Sequence, residues 1–192
     1  DVYGGIIDIL MKEQDIQKAI EFLTTCLQDI VDEKYPIEKL IITKALRSHY
    51  KKPNQIAHKV LADRMGLRDP GNKPSTGDRI PYAYVHNKNK KALQGEKIEH
   101  PQYIIENKLS LDYGHYITNQ IMKPLLQVFS LVLEDMPNYK NKIMKKKKMH
   151  NEIMKFKREL TPDKFEKKVE AIKNKEVQTL LFDKYIRMCD NT

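Results

Sequence analysis

The stretch Gly77-Asp-Arg-Ile-Pro-Tyr-Ala-Tyr-Val85 predicts the centre of the fold. Apolar and polar residues alternate along it, which is the period of a β-strand with one buried face. Because Pro81 cannot donate a ladder hydrogen bond, we expect an edge strand or an irregular one. Upstream, Lys39-Leu-Ile-Ile-Thr43 is short and β-branched and predicts a second strand. Downstream, residues 96–99 predict a short third strand.

Helices are predicted on both sides of this sheet. Apolar residues recur at three- and four-residue steps from Ile6 to Val31, with a break near Gln14 and a helix cap at Asp15. A later helix should be kinked or split by Pro124. The predicted helices cover residues 6–14, 15–31, 53–65, 101–107 (a short helix or turn), 112–135, 140–159, 162–173 and 177–188. We therefore predict an α+β fold, mainly α-helical, with helices around a small central antiparallel sheet.

The positive charge is concentrated in two segments. The 192 residues contain 35 Lys and Arg against 26 Asp and Glu, a net charge of +9. Residues 39–97 carry 14 basic and 4 acidic groups, and residues 138–175 carry 14 and 5. The first segment mixes cations with Gly, Pro, Asn and Tyr, which is typical of a surface that binds phosphate. The second is Lys-rich at a helical rhythm and is more simply interpreted as a solvated helix face.

The sequence also excludes several classes of protein. No apolar run reaches the ~20 residues of a membrane-spanning helix. Two cysteines, Cys26 and Cys189, exclude a disulfide scaffold or a Cys-rich zinc site and fit a reducing compartment. The histidines show no metal-ligand spacing, and P-loop, GxGxxG and GxSxG motifs are absent. Since the chain starts with Asp1 rather than Met, we expect a fragment of a longer protein. The residues alone indicate a basic binding module with no visible active site.

Four motifs in a fixed order carry a resemblance to a known family. They are Leu40-Ile-Ile-Thr-Lys-Ala-Leu46, Ala57-His-Lys-Val-Leu-Ala-Asp-Arg64, Gly77-Asp-Arg-Ile-Pro-Tyr82 and His115-Tyr-Ile-Thr-Asn-Gln-Ile-Met-Lys-Pro-Leu125. Together they resemble the thumb region of family B (delta-like) DNA polymerases. In the last motif His115 replaces a tyrosine of the family pattern. Residues 54–58 and 68–74 look most similar to polymerases of large nucleocytoplasmic DNA viruses.

The resemblance implies the thumb and C-terminal part of a viral replicative DNA-directed DNA polymerase, which grips primer–template duplex through its phosphate backbone and minor groove. The implied partners are double-stranded primer–template DNA, the palm and other domains of the same polymerase, and a candidate processivity factor, with no membrane. The family's palm and exonuclease motifs are absent. Catalytic Asp residues and Mg²⁺ would therefore lie elsewhere, and this chain, without a cofactor of its own, should be inactive alone. The implied location is the cytoplasm (virus factory) or nucleus of a host.

The resemblance also divides the chain and assigns residues. Residues 1–38 would be helices that follow the palm (the thumb base), 39–137 the thumb core with the sheet and DNA-binding motifs, and 138–192 a Lys-rich helical insertion with a C-terminal helix. No catalytic or metal-binding residue is expected. The residues expected to contact DNA are Thr43, Lys44, Arg47, His58, Arg64, Lys73, Gly77, Arg79, Tyr82 and Asn119.

Alternatives stay open for several of these residues. Arg47 fits generic surface charge, and Tyr82 fits packing on the sheet. His58 could instead hydrogen-bond the 77–82 loop, and Asp78 is expected to hold Arg79 or the turn. Arg64 could instead form an ion pair with Asp63, Asp69 or Asp78. Tyr116, Asn119 and Gln120 could brace the thumb rather than contact a DNA backbone. For the whole chain, the alternative function is a non-catalytic basic helical module that binds a partner protein or an acidic surface.

Overall fold

The computed structural model describes residues 2–190, which form two compact units. Glu33–Tyr116 forms one, here called the sheet unit, and Asp1–Asp32 with Ile117–Thr192 forms the other, here called the helical unit. The first and last segments of the chain thus belong to the same unit. Asp1, Asn191 and Thr192, at the ends of the predicted segments 1–38 and 138–192, lie outside the described residues. The division into three functional segments stays a prediction.

The predicted α+β fold, mainly helical with a small antiparallel sheet, is confirmed. The α-helices of residues 2–190 are α1 (Val2–Asp8), α2 (Ile16–Val31), α3 (Ala57–Arg68), α4 (Pro101–Glu106), α5 (Tyr113–His115), α6 (Lys123–Leu131), α7 (Pro137–Lys140), α8 (Ile143–Glu159), α9 (Pro162–Leu181) and α10 (Asp183–Asp190). Two π-helical segments cover Ile9–Glu13 and Tyr116–Met122. Short 3-10 turns cover Ile37–Lys39, Pro53–Gln55, Pro70–Asn72, Gln94–Glu96 and Leu133–Asp135.

The sheet has three antiparallel strands in the order β1 (Ile42–Ala45), β2 (Arg79–Tyr84) and β3 (Ile98–Glu99). The first strand starts later than predicted because a 3-10 turn occupies residues 37–39. The expectation of an edge position for β2 is wrong, since β2 is the central strand. Its ladder with β3 includes only Ala83 and Tyr84, so Pro81 lies outside that ladder and its missing N–H is tolerated.

Two predicted helix interruptions are confirmed. Gln14 has a left-handed backbone (φ 52°) between the first π-helical segment and α2, and Asp15 caps α2 by accepting a hydrogen bond from the backbone N–H of Lys18 at 3.0 Å. Pro124 lies in the first turn of α6, directly after the second π-helical segment. A proline fits there because the first N–H groups of a helix have no partner within the helix.

The predicted boundary between residues 173 and 177 is wrong. Helix α9 continues to Leu181, and the chain breaks at Phe182 instead. Val177 and Leu181 are both buried, so they extend the apolar face of α9 beyond the polar residues that suggested an end. Burial of that face stabilises the additional turns.

The core of the sheet unit lies between the sheet and α3. Its buried members are Leu40, Leu46, Leu61, Ala62, Ile80, Tyr82, Tyr84, Ile98 and Tyr116. Tyr116 joins three parts of this core: its hydroxyl donates to the carbonyl of Leu40 at 2.8 Å and accepts from the N–H of Tyr84 at 2.9 Å. Burial, as the largest cause, raises the pKa of Tyr116 to about 12. The predicted bracing role is confirmed for this residue.

Replacing Tyr116 by Phe should lower the free energy of unfolding by about 1–3 kcal/mol, because a buried carbonyl and a buried N–H lose their partner. Urea denaturation followed by circular dichroism measures the change. Tyr82→Phe is the matched control, since Tyr82 is equally buried but its hydroxyl has no hydrogen-bond partner in the described residues. Equal losses in the two variants would contradict the bracing role.

The same residue predicts how stability depends on alkaline pH. The unfolded chain loses the Tyr116 proton near the ordinary pKa of about 10, whereas the folded chain keeps it up to about 12. The contribution is complete below pH 10 and is lost as pH rises to 12. We expect the free energy of unfolding to fall over this range, and to fall less in Tyr116→Phe. Parallel urea titrations of both chains at pH 8 and pH 11 separate Tyr116 from the other buried tyrosines.

Candidate nucleic-acid interface

The end of the sheet formed by β1 and the start of β2 exposes three predicted contact residues. Thr43, Lys44 and Arg79 are all exposed. Lys44 lies opposite the core residue Ile80, whereas Arg79 lies opposite Ala45. Because side chains alternate between the two faces of a sheet, Thr43 and Arg79 share one face and Lys44 lies on the other. The two cations therefore flank the sheet from opposite faces.

A tight turn precedes Arg79 and closes this end of the sheet. The N–H of Gly77 donates to the carbonyl of Leu46, and the N–H of Leu46 donates to the carbonyl of Asp78, each at 2.9 Å. Gly77 has φ +91°, where other residues are strained, and a Cβ atom added there would meet nothing within 4 Å. The Asp78 carboxylate accepts the N–H of Ser75 at 2.8 Å, so Asp78 holds the turn as predicted. The outside of the turn is therefore open.

Beside the turn lies a surface pocket of about 320 Å³. Its lining combines basic, hydroxyl and imidazole groups from the loop after β1, from α3 and from the segment before the turn. The lining residues are Leu46, Arg47, Ser48, His49, Tyr50, Pro53, Lys59, Pro74 and Thr76. Ser48, His49, Lys59 and Thr76 were not predicted from the sequence. The run Arg47-Ser-His-Tyr-Lys-Lys52 contains Ser48 and His49 and could have pointed to these two, but its charges look like ordinary surface charge in isolation.

His58 orders the loop that forms this pocket. Its Nε2 lies 3.2 Å from the hydroxyl of Tyr50, which accepts the backbone N–H of Arg47 at 2.7 Å. The predicted hydrogen bond to the 77–82 loop is therefore replaced by one to the loop after β1. Burial is the largest influence on the pKa of His58 and lowers it. A hydrogen bond with the backbone of Ala45 raises this pKa, whereas the nearby cations Lys44 and Arg47 lower it further. The imidazole is neutral at pH 7.

Arg64 is directed into the sheet unit. Its Nη1 donates to the carbonyl of Gly95 at 3.0 Å and its Nη2 to the carbonyl of Ile98 at 2.7 Å. Its Nε lies 3.2 Å from Oε1 of Glu99, so Glu99 and not Asp63, Asp69 or Asp78 is its ion-pair partner. The predicted aspartate pairings are wrong because the true partner comes from a distant strand. This guanidinium holds the segment that leads into β3.

Glu99 is shared with a second arginine. It is only 8% exposed, and both of its oxygens accept hydrogen bonds from Arg68, at 2.8 and 3.0 Å. The Arg68 guanidinium also lies over the ring of Tyr103, 3.6 Å from its centroid. A buried carboxylate requires such partners, because an unpaired buried charge is strongly destabilising. Sequence analysis placed Glu99 in the third strand but did not predict its role, because nothing in the local sequence distinguishes it from an exposed acidic residue.

The remaining predicted contact residues have different surroundings. Tyr82 is 5% exposed, and burial raises its pKa, so its packing role is confirmed. Lys73 is exposed, while its stem covers Gly66, where an added Cβ would lie 2.7 Å from the Lys73 Cγ. Asn119 belongs to the helical unit and is half-buried on a π-helical segment. DNA contact by these residues stays a prediction.

No metal-binding cluster accompanies this surface. Residues 2–190 contain no group of three or more His, Cys, Asp or Glu side chains that could hold a metal ion. The described residues thus do not fit the Mg²⁺ that the family resemblance implies, and no metal-dependent step is assigned to them. Across the same residues, no helix has both the length and the apolar character needed to cross a membrane.

Comparison with known proteins identifies the family. The sequence model described as "DNA polymerase family B" matches residues 1–132, which is more than half of the chain. The chain belongs to DNA polymerase family B. The predicted membership of family B is therefore confirmed, whereas the assignment to the thumb stays a prediction. Two of the four motifs contain the exposed residues Lys44 and Arg79.

Viral and cellular relatives both match this family B chain. A DNA polymerase of Pyramimonas orientalis virus is 46% identical over 192 residues, which cover 99% of this chain and 16% of that protein. A DNA polymerase of Acanthamoeba polyphaga mimivirus is 49% identical over 148 residues, which cover 73% of this chain and 8% of that protein. The DNA polymerase delta catalytic subunit of Candida albicans is 35% identical over 133 residues, which cover 69% of this chain and 12% of that protein. The chain thus spans less than a fifth of the length of each of these relatives.

The inward position of Arg64 generates a prediction about stability. Arg64→Gln should lower the free energy of unfolding by about 2–4 kcal/mol, because two carbonyls and part of Glu99 lose their partner. Arg79→Gln removes the same charge from an exposed strand position and should change it by less than about 0.5 kcal/mol. Urea denaturation of both variants measures the difference. Similar stability of the two variants would show that Arg64 does not hold the β3 segment.

Proposed function

We propose that this family B chain is the thumb and C-terminal part of a replicative DNA-directed DNA polymerase of a large DNA virus, and that its sheet unit grips primer–template duplex. The observation that carries the proposal is the group of exposed cations around one end of the sheet. Lys44, Arg47 and Arg79 are exposed there, next to the open turn at Gly77. Lys44 and Arg79 come from segments that resemble the thumb motifs of the family, and Arg47 directly follows the first of these segments.

The chemistry of this surface suits the phosphate backbone of a duplex. A polymerase must hold DNA of any sequence, so its grip should depend on phosphate contacts rather than on base edges. Nearby carboxylates are already engaged: Asp78 accepts the Ser75 N–H, and Asp63 pairs with Lys59 at 2.8 Å. Positive charge therefore dominates where a phosphate would approach. Lys44 on one face and Arg79 on the other would contact different phosphates.

The surrounding contacts would keep this grip in a fixed shape. The hydrogen bonds around Tyr50 and His58 order the loop that carries Arg47, and the Gly77 turn sets where β2 begins. A preorganised surface loses less conformational entropy on binding. We assign nucleotidyl transfer and its Mg²⁺ ions to parts of the longer polymerase, including the palm, with which this chain would work inside the infected host cell. The chain alone is expected to be inactive.

The double variant Lys44→Gln/Arg79→Gln tests the grip. Fluorescence anisotropy with a labelled duplex of arbitrary sequence measures affinity between about 50 and 200 mM salt. Each lost phosphate contact should reduce the slope of log K against log salt by about 0.9, so the pair should reduce it by about 1.8. A second duplex of unrelated sequence should give the same values.

Lys88→Gln/Lys91→Gln provides the control. It removes two positive charges from exposed positions of the same unit, in the turn between β2 and β3. Its salt slope should remain close to that of the unsubstituted chain. An equal loss in both double variants would mean that only net charge matters. No loss in Lys44→Gln/Arg79→Gln would contradict the proposed grip.

A further inference from the structure

Helices α8 and α9 carry four lysines at matched spacing. They are consecutive helices joined at Leu160 and Thr161, and they pack against each other, so they run antiparallel. Lys148 and Lys155 are seven residues apart on α8, as are Lys168 and Lys175 on α9. Seven residues are about two helical turns, or roughly 10.5 Å, so each pair lies on one side of its helix.

A groove of about 310 Å³ between the two helices includes one lysine of each pair in its lining. From α8 it is lined by Lys145, Lys148, Met149 and Glu152, and from α9 by Ile172, Lys175, Glu176 and Thr179. Lys148 and Lys175 therefore border the groove from opposite helices. Lys155 and Lys168 lie outside this lining, and the ammonium of Lys168 lies 4.7 Å from the centroid of the Phe156 ring. Lys148 and Lys175 therefore form one cationic pair across the groove.

The ammonium groups of Lys148 and Lys175 are available to an external anion. Lys145 lies 3.6 Å from Glu176 and offsets that carboxylate, which leaves Glu152 as the other acid of the lining. Lys148, Lys155, Lys168 and Lys175 are all exposed, and none forms an ion pair within residues 2–190. The groove therefore keeps an excess of positive charge.

We infer that this groove is a second binding site for duplex DNA, which contacts the sugar–phosphate backbone through Lys148 and Lys175; the inference rests on the proposed function. Two ammonium groups that border a groove from opposite sides suit a phosphate backbone lying along it, because phosphate contacts need positive charge and no base-specific geometry. The site lies beyond the residues that the family model matches, 1–132, and so adds to the grip of the sheet unit.

Other anionic partners fit the groove less well. Its lining contains no aromatic residue on which the bases of a single strand could stack. A membrane-surface helix needs an apolar face exposed along its length. In α8 the exposed large apolar residues, Ile143 and Met144, lie in the first turn, whereas Met149, Ile153 and Phe156 are at least half-buried. A regular duplex backbone requires neither feature.

The test compares Lys148→Gln/Lys175→Gln with the matched control Lys157→Gln/Lys167→Gln. The control removes two exposed lysines from the same two helices, outside the groove lining. With the full chain and a labelled duplex, the groove variant should bind about tenfold or more weakly near 100 mM salt, with a salt slope reduced by about 1.8. The control should change the slope by less than half of that. Circular dichroism checks that both variants keep their helices.

Each outcome separates this inference from the proposed function. If the groove variant and its control lose equal affinity, the groove is not a site, whatever Lys44→Gln/Arg79→Gln does. If only the groove variant loses affinity, the groove is supported and the proposed grip of the sheet unit fails. If the unsubstituted chain does not bind duplex, both fail. Tighter binding to vesicles of phosphatidylserine and phosphatidylcholine than to duplex, lost in the groove variant, would overturn the inference in favour of a membrane surface.

Discussion

The hydroxyl of Tyr116 is the interaction on which the sheet unit depends. It connects Leu40, just before β1, with Tyr84, at the end of β2, and so joins segments that are far apart in the chain. Leu40 and Tyr116 belong to the first and last of the four family motifs, and Tyr84 follows the third. Because both strands are fixed by this one hydroxyl, the positions of Lys44 on β1 and Arg79 on β2 depend on it as well.

The buried carboxylate of Glu99 distinguishes cations with a structural role from cations that are exposed. Glu99 holds Arg64 and Arg68, and these guanidiniums stabilise the packing of α3 against the β3 segment. A buried ion pair contributes little net stability, but removal of one partner leaves an uncompensated charge. Arg64 and Arg79 both lie in family motifs, yet Arg79 is exposed. Motif membership therefore does not distinguish a structural arginine from an exposed one, whereas the surroundings of each side chain do.

The two basic segments of the chain use their charge differently. In the sheet unit, arginine, turn residues and a neutral imidazole shape a compact surface around the Gly77 turn. In α8 and α9, lysines repeat every two turns, and Lys148 and Lys175 line the groove between the two helices. Lysine is a point charge on a flexible stem and suits phosphate contacts that need no fixed geometry. The net charge of +9 thus arises from two different basic surfaces, a compact one around the Gly77 turn and an extended one on α8 and α9.

Local features determined much of this protein from the sequence alone. Periodicity and capping predicted the three strands, the break at Gln14 and the split at Pro124, because these depend on neighbouring residues. The motifs also determined the family. Only the tertiary structure decided that Arg64 binds carbonyls 31 and 34 residues away, that Tyr82 is buried, and that register separates Lys44 from Arg79. Burial and strand register arise from contacts between distant segments, and no local pattern contains them.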